Sequence, residues 1–173
     1  MKKLLLILSL VFIAWACEKI RSYPDEPEIS HKSHKLSYAT DVLGNKVYLL
    51  EFEFNYVDGD GDLTSPLSPI RSSDTTDTTT YSTFAYQILF KDKGIYKPYI
   101  APEDSSPVIY AYLPWEEFMS RDGQNKTFKG SIIKRIEFYQ PYPYDTFKVE
   151  YFVTDFAYHK SNVVEIPEEL ILK

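Results

Sequence analysis

Cysteine is nearly absent from this chain: Cys17 is the only one in 173 residues, so no disulfide can join two parts of it. Glycine is sparse at six residues, and methionine and tryptophan number two each. Lys and Arg number 19 against 25 Asp and Glu, a formal net charge of −6, and no three basic residues stand together. An acidic chain without a basic run argues against nucleic acid and anionic lipid headgroups as partners. The longest apolar run, residues 4–15 with Ser9 inside it, falls short of the roughly 20 residues that span a bilayer. Also missing are G-x-S-x-G, H-E-x-x-H, the P-loop and the dinucleotide-binding glycine pattern, which leaves no recognised catalytic signature. Aromatics are abundant instead, with 15 Tyr and 11 Phe, residues that suit pleated, half-buried surfaces.

The N-terminus opens with Lys2 and Lys3, continues through the short apolar run, and ends on Ala14-Trp15-Ala16-Cys17. A basic head, an apolar middle and small residues before a cut describe a secretory signal peptide. Two cleavages compete. Ala14-Trp15-Ala16 suits an ordinary signal peptidase, releasing a soluble protein. Ala16-Cys17 resembles the end of a bacterial lipobox, in which the thiol is acylated and becomes the first mature residue. The lone thiol at the cleavage point favours the second reading, which makes Cys17 the lipid attachment site and the membrane the first partner. Several acyl chains hold stably where one does not. Residues 18–29 (EKIRSYPDEPEI) are polar with two prolines, so residues 17–29 read as a lipidated cysteine and extended tether. Residues 30–173 are then a single domain, long enough for a real core.

Residues 45–56 (NKVYLLEFEFNY) carry the clearest pattern. Leu50, Phe52, Phe54 and Tyr56 alternate with Glu51, Glu53 and Asn55, a period of two that specifies a strand with one buried face. That strand runs into Val57-Asp58-Gly59-Asp60-Gly61-Asp62-Leu63. Three carboxylates separated by glycine form a compact loop of hard oxygen donors, the chemistry calcium prefers. The loop resembles the start of an EF-hand, but that motif wants Gly at Leu63 and Glu at Pro69, and no flanking helices are suggested. A plain polar turn is the alternative, since Asp and Gly make turns unaided. Asp58, Asp60 and Asp62 are the candidate calcium ligands, with Asp155 weaker and Asp74 and Asp77 further off. Any such ion would be structural.

His31 and His34 lie three apart in HKSHKLS without a zinc-type motif around them, and read as a solvated strand or linker. Residues 64–82 are rich in Ser, Thr, Pro and Asp and form an exposed loop. Within it Asp74-Thr75-Thr76 and Asp77-Thr78-Thr79 resemble an O-glycosylation acceptor of exported Bacteroidota proteins. Further strands are expected over 83–90, 95–100 (an edge, because of Pro98), 108–113, 127–139, 145–155 and 163–167, with one short helical turn at 114–119 and an extension over 168–173. About seven short strands and one helical turn specify an all-β protein: a single antiparallel Ig-like β-sandwich.

Two segments, residues 56–63 (YVDGDGDL) and 155–162 (DFAYHKSN), are together similar to the paired motifs of uncharacterised Bacteroidota envelope lipoproteins with Ig-like or cadherin-like domains. The late segment there reads Asp-x-Ala-Gly-Asn-x-Ser. Asp155, Ala157 and Ser161 fit, and Tyr158 and His159 stand where that pattern has Gly-Asn. The resemblance implies a β-sandwich in the envelope, at the outer membrane with its periplasmic or surface face open, and no known reaction.

The function expected from these features is a non-catalytic, lipid-anchored binding or scaffolding module, with a glycan or envelope protein as partner. The alternative is a carbohydrate-binding surface lipoprotein of a polysaccharide-uptake system, with Trp115, Tyr99, Tyr110, Tyr112, Tyr142 and Tyr144 as stacking platforms; aromatics alternating in strands more often fill a core. An enzyme assembled from scattered carboxylates and His159 is the least supported reading. Ligand and oligomeric state are not legible.

Overall fold

The computed structural model describes residues 23–63, 84–100, 106–111, 113, 127–139 and 144–172. The helical turn expected at 114–119, the loop over 64–82 with its glycosylation motifs, and Cys17 lie outside them.

The alternation in residues 45–56 becomes β2 (Lys46–Asp58), whose inward Tyr48, Leu50, Phe52, Phe54 and Tyr56 are all buried. β1 (Glu28–Thr40) and β6 (Phe128–Phe138) flank it antiparallel, giving a three-stranded sheet in the order β1-β2-β6. The second sheet is centred on β3 (Phe84–Asp92) and β7 (Thr146–Val153). Each of its edges is made of two short strands end to end. β4 (Ile95–Pro98) pairs one half of β3 and β5 (Val108–Ala111) the other; β8 (Val164–Glu165) and β9 (Leu170–Ile171) divide β7 in the same way. The chain is all-β, and the order β1-β2-β6 against β4-β3-β7-β8 follows the A-B-E and C′-C-F-G sheets of an Ig-like sandwich. Its described strands number nine rather than about seven: β2 to β8 match the seven expected segments, and β1 and β9 are added, β9 from within the expected C-terminal extension.

The core is aromatic. Phe52, Phe54, Phe84 and Tyr151 meet between the sheets with ring centroids 4.9–6.2 Å apart, and Phe138 packs on Phe147 at 4.7 Å near the other end. Such pairs add about 0.5–1.5 kcal/mol each beyond the area they bury.

The largest departure from expectation is β1. The tether was expected to run to residue 29, yet the strand begins at Glu28 and Ile29 is buried. The polar HKSHKLS, read as either a solvated strand or a linker, is a paired strand, and as an edge strand it buries little of itself. Its register slips between His31 and Ser33. Residues three apart on a regular strand face opposite sides, but the bulge turns both histidines toward the same side. His31 Nε2 and His34 Nδ1 are 3.0 Å apart, His31 Nδ1 lies 3.3 Å from the hydroxyl of buried Tyr151, and His34 Nε2 is 3.8 Å from Glu168. Glu168 touches the outer nitrogen of His34, so it cannot share a metal held between the two rings. Burial, and then the neighbouring His34, lowers the pKa of His31. A lowered imidazole pKa means that the unfolded chain takes up its proton first. This contribution to stability is present above about pH 6.5 and is lost as pH falls below it. In thermal melts, we expect the stability advantage of wild type over His31→Gln to shrink between pH 7.5 and 5; an advantage independent of pH would contradict this.

Candidate metal centre

β2 carries its inward alternation one residue past the aromatics, so Asp58 falls on a core position and is fully buried. The chain then turns back within five residues. Leu63 plugs into the core and its N–H donates to Asp58 Oδ2 at 2.7 Å. Gly61 takes a left-handed φ of +77°, open to glycine at no steric cost. At Gly59 a Cβ would lie 2.1 Å from the Pro24 carbonyl oxygen and 2.5 Å from that of Tyr23, so only glycine lets the N-terminal segment pass.

The second wall is the turn after β7. Thr154 bridges Lys160, the Asp155 N–H donates to the His159 carbonyl at 3.1 Å, and the Phe156 N–H donates to the Asp62 carbonyl at 3.0 Å. Tyr158, standing where the resembled pattern has glycine, takes φ +70° and makes the tight turn regardless. For a residue with a Cβ that conformation costs roughly 1–2 kcal/mol. Ser161 and Asn162 complete the motif. The Ser161 hydroxyl accepts from the Val153 N–H at 3.0 Å, and the Asn162 side chain brackets Ile29, accepting from its N–H and donating to its carbonyl at 2.9 Å each. Ser161 was marked in the sequence by its place in the resembled pattern; the role of Asn162 was not.

Loop and turn bring together four of the six carboxylates singled out from sequence. One oxygen from each of Asp58, Asp60, Asp62 and Asp155 lies within 4.8 Å of the others; Asp74 and Asp77 lie outside the described residues. Oδ1 of Asp58, Asp60 and Asp62 is in each case buried with no hydrogen-bond partner among the described residues. Asp155 differs: its Oδ1 accepts from the His159 N–H at 2.7 Å and its Oδ2 faces His159 Nδ1 at 2.9 Å. Burial, reinforced by Asp60, pushes the Asp58 carboxyl up to about 7. Burial, then the charges of Asp155 and Asp60, pushes Asp62 up to about 6. Asp155 is also raised by burial, although its bonds to His159 oppose the shift.

Chemically the cluster is a cage of acceptors in which three oxygens, Oδ1 of Asp58, Asp60 and Asp62, meet no donor among the described residues. Calcium takes oxygen ligands at about 2.3–2.6 Å, so two oxygens on one ion lie at most roughly 4.6–5.2 Å apart, and four oxygens all within 4.8 Å of one another fall inside that limit. Magnesium prefers shorter bonds and retains water, so a cage of protein carboxylates suits it less.

Of the proposed stacking platforms, Tyr99 and Tyr144 meet at the far end of the sandwich. Both pack on Phe90, at 5.1 and 5.5 Å, and with Asp92 and Lys97 they line a cleft of about 390 Å³. Tyr110 is exposed on β5, away from that cleft; Tyr112, Trp115 and Tyr142 lie outside the described residues. No family model, curated protein or solved structure matches this chain.

Carboxyl groups with raised pKa favour folding while protonated, so their contribution is full below about pH 4 and is lost as pH rises through 6 to 7. Without divalent ions, we expect the melting temperature to fall across that window. Asp58→Asn should then melt above wild type in EDTA at pH 8, since it removes a buried charge; equal or lower melting would contradict the cluster's strain. Separately, Tyr158→Gly should stabilise the protein by about 0.5–1 kcal/mol, because the released left-handed strain exceeds the entropy cost of glycine; unchanged or lower stability in denaturant titrations would count against that strain.

Proposed function

We propose that this chain is a non-catalytic, lipid-anchored β-sandwich module of a bacterial outer membrane, with one end fixed by a structural calcium ion. Three buried carboxylate oxygens without donors among the described residues, in a cluster whose oxygens lie within 4.8 Å of one another, carry the ion reading: a buried anion requires compensation, and a divalent cation supplies it. The basic-apolar leader ending at Cys17 supports export and acylation, and the fold supplies a rigid body to present at the envelope. The one histidine–carboxylate pair near the cage, His159 with Asp155, has no hydroxyl or thiol partner among the described residues and a side chain 40% exposed. In this reading it holds the Asp155 carboxylate in place as a ligand. Binding or scaffolding is the role we assign to such a body.

A second reading has its own observation. The cleft of Phe90, Tyr99 and Tyr144 with the Asp92–Lys97 ion pair offers aromatic faces beside charged hydrogen-bonding groups, which suits a neutral sugar. Calorimetry against oligosaccharides should then give heats that Tyr144→Ala removes.

For the main reading, calcium at a hundredfold excess over Kd should stabilise the fold by about 2.7 kcal/mol, roughly 5–10 °C in melting temperature for a domain of this size. EDTA should reverse the shift and Asp60→Asn should abolish it. Membrane recovery should vanish in Cys17→Ser. A melting curve indifferent to calcium would remove the ion, and a membrane-bound Cys17→Ser protein would remove the anchor.

A further inference from the structure

The N-terminal segment leaves the sandwich at the ion end and is fastened there. The Tyr23 and Pro24 carbonyls lie against Gly59, Lys129 Nζ sits 3.5 Å from the centre of the Tyr23 ring, Pro27 is buried, and Asn162 brackets Ile29. Between Cys17 and Tyr23 the chain reaches at most about 20 Å when fully extended. β2 alone separates the two ends of the sandwich by roughly 40 Å at ~3.4 Å per residue. A leash of that length cannot bring the opposite end, with its exposed Val42 and Leu43, down to the membrane while Tyr23 stays fastened at the ion end.

At the ion end two aromatic side chains among the described residues are exposed, Phe156 at 49% and Tyr158 at 64%. Both stand on the turn tied to the carboxylate cage through Asp155 and the Phe156–Asp62 hydrogen bond. Nearby, Lys160 Nζ lies over the Phe152 ring at 3.7 Å and Lys129 over Tyr23, while Asp25 and Glu26 are exposed. Both signs of charge are present, which suits a zwitterionic headgroup layer. Aromatic side chains concentrate at the level of lipid headgroups because their rings are apolar and their edges polar.

We propose that the ion end is the protein's membrane-contact surface, with Phe156 and Tyr158 seated in the headgroup layer beside the acylated Cys17. The inference rests on the lipid-anchor reading above. The carboxylate cage then has a second role, shaping the turn that meets the bilayer, and the Phe90–Tyr99–Tyr144 cleft and the Val42–Leu43 turn face away from it.

The test uses the processed lipoprotein in phosphatidylcholine vesicles containing dibrominated phosphatidylcholine, with Trp115→Phe to remove background fluorescence. Tyr158→Trp should give emission that shifts to the blue and is quenched at least twofold, Phe156→Trp should do the same, and Leu43→Trp should not be quenched. If the protein floats with the vesicles while Leu43→Trp is quenched, or while neither Tyr158→Trp nor Phe156→Trp is, the orientation is wrong and the anchor stands. If the protein fails to float, the lipid anchor itself is refuted and the contact surface with it.

Discussion

Four carboxylates drawn together at the edge of a protein interior set the terms for everything around them. Each loses water on burial, each raises the cost of charging its neighbours, and in three of them Oδ1 meets no donor among the described residues. Protons can offset this only in part near neutrality, since Asp58 and Asp62 titrate there, at about 7 and about 6. A divalent cation offsets it at any pH at which the carboxyls ionise. The local folding follows from this requirement. Leu63 is buried to close the loop, Gly59 has no side chain so that the N-terminal segment can pass, and Tyr158 accepts a left-handed backbone to bring Asp155 round.

The sandwich supplies the rigidity that such a cage needs. β2 and β7 are central strands of opposite sheets, and their aromatic side chains lock together through Phe52, Phe54 and Tyr151. Asp58 and Asp155 leave those two strands at the same end, so the cage spans the gap between sheets and an ion there would pin one to the other. The first strand enters at this end too, held by Asn162. One set of contacts therefore governs the register of β1, the closure of the sandwich and the exit of the chain toward Cys17.

Much of this was legible in the residues. The strict alternation of β2 specified both a strand and its buried face, and the Asp-Gly-Asp-Gly-Asp that follows it displayed its donor chemistry openly. Asp155 was legible only as a weaker member, because nothing local says that a turn about a hundred residues away returns to the same end. β1 was hidden: an edge strand with one buried anchor at Ile29 and a bulge at Lys32 has no readable period, and its histidines resemble a solvated linker. The divided edges of the second sheet are a tertiary arrangement that strand periodicity does not encode. Tyr158 argued locally against a glycine-like turn, and tertiary contacts overrode that preference.

The most direct measurement is the anomalous scattering of a crystal of the Cys17→Ser mature protein grown in calcium. A single peak enclosed by Asp58, Asp60, Asp62 and Asp155, with metal–oxygen distances of about 2.3–2.6 Å, is the result this account requires. A cage closed on itself by protonated carboxyls or by a side-chain cation, with no anomalous signal at saturating calcium, would contradict it.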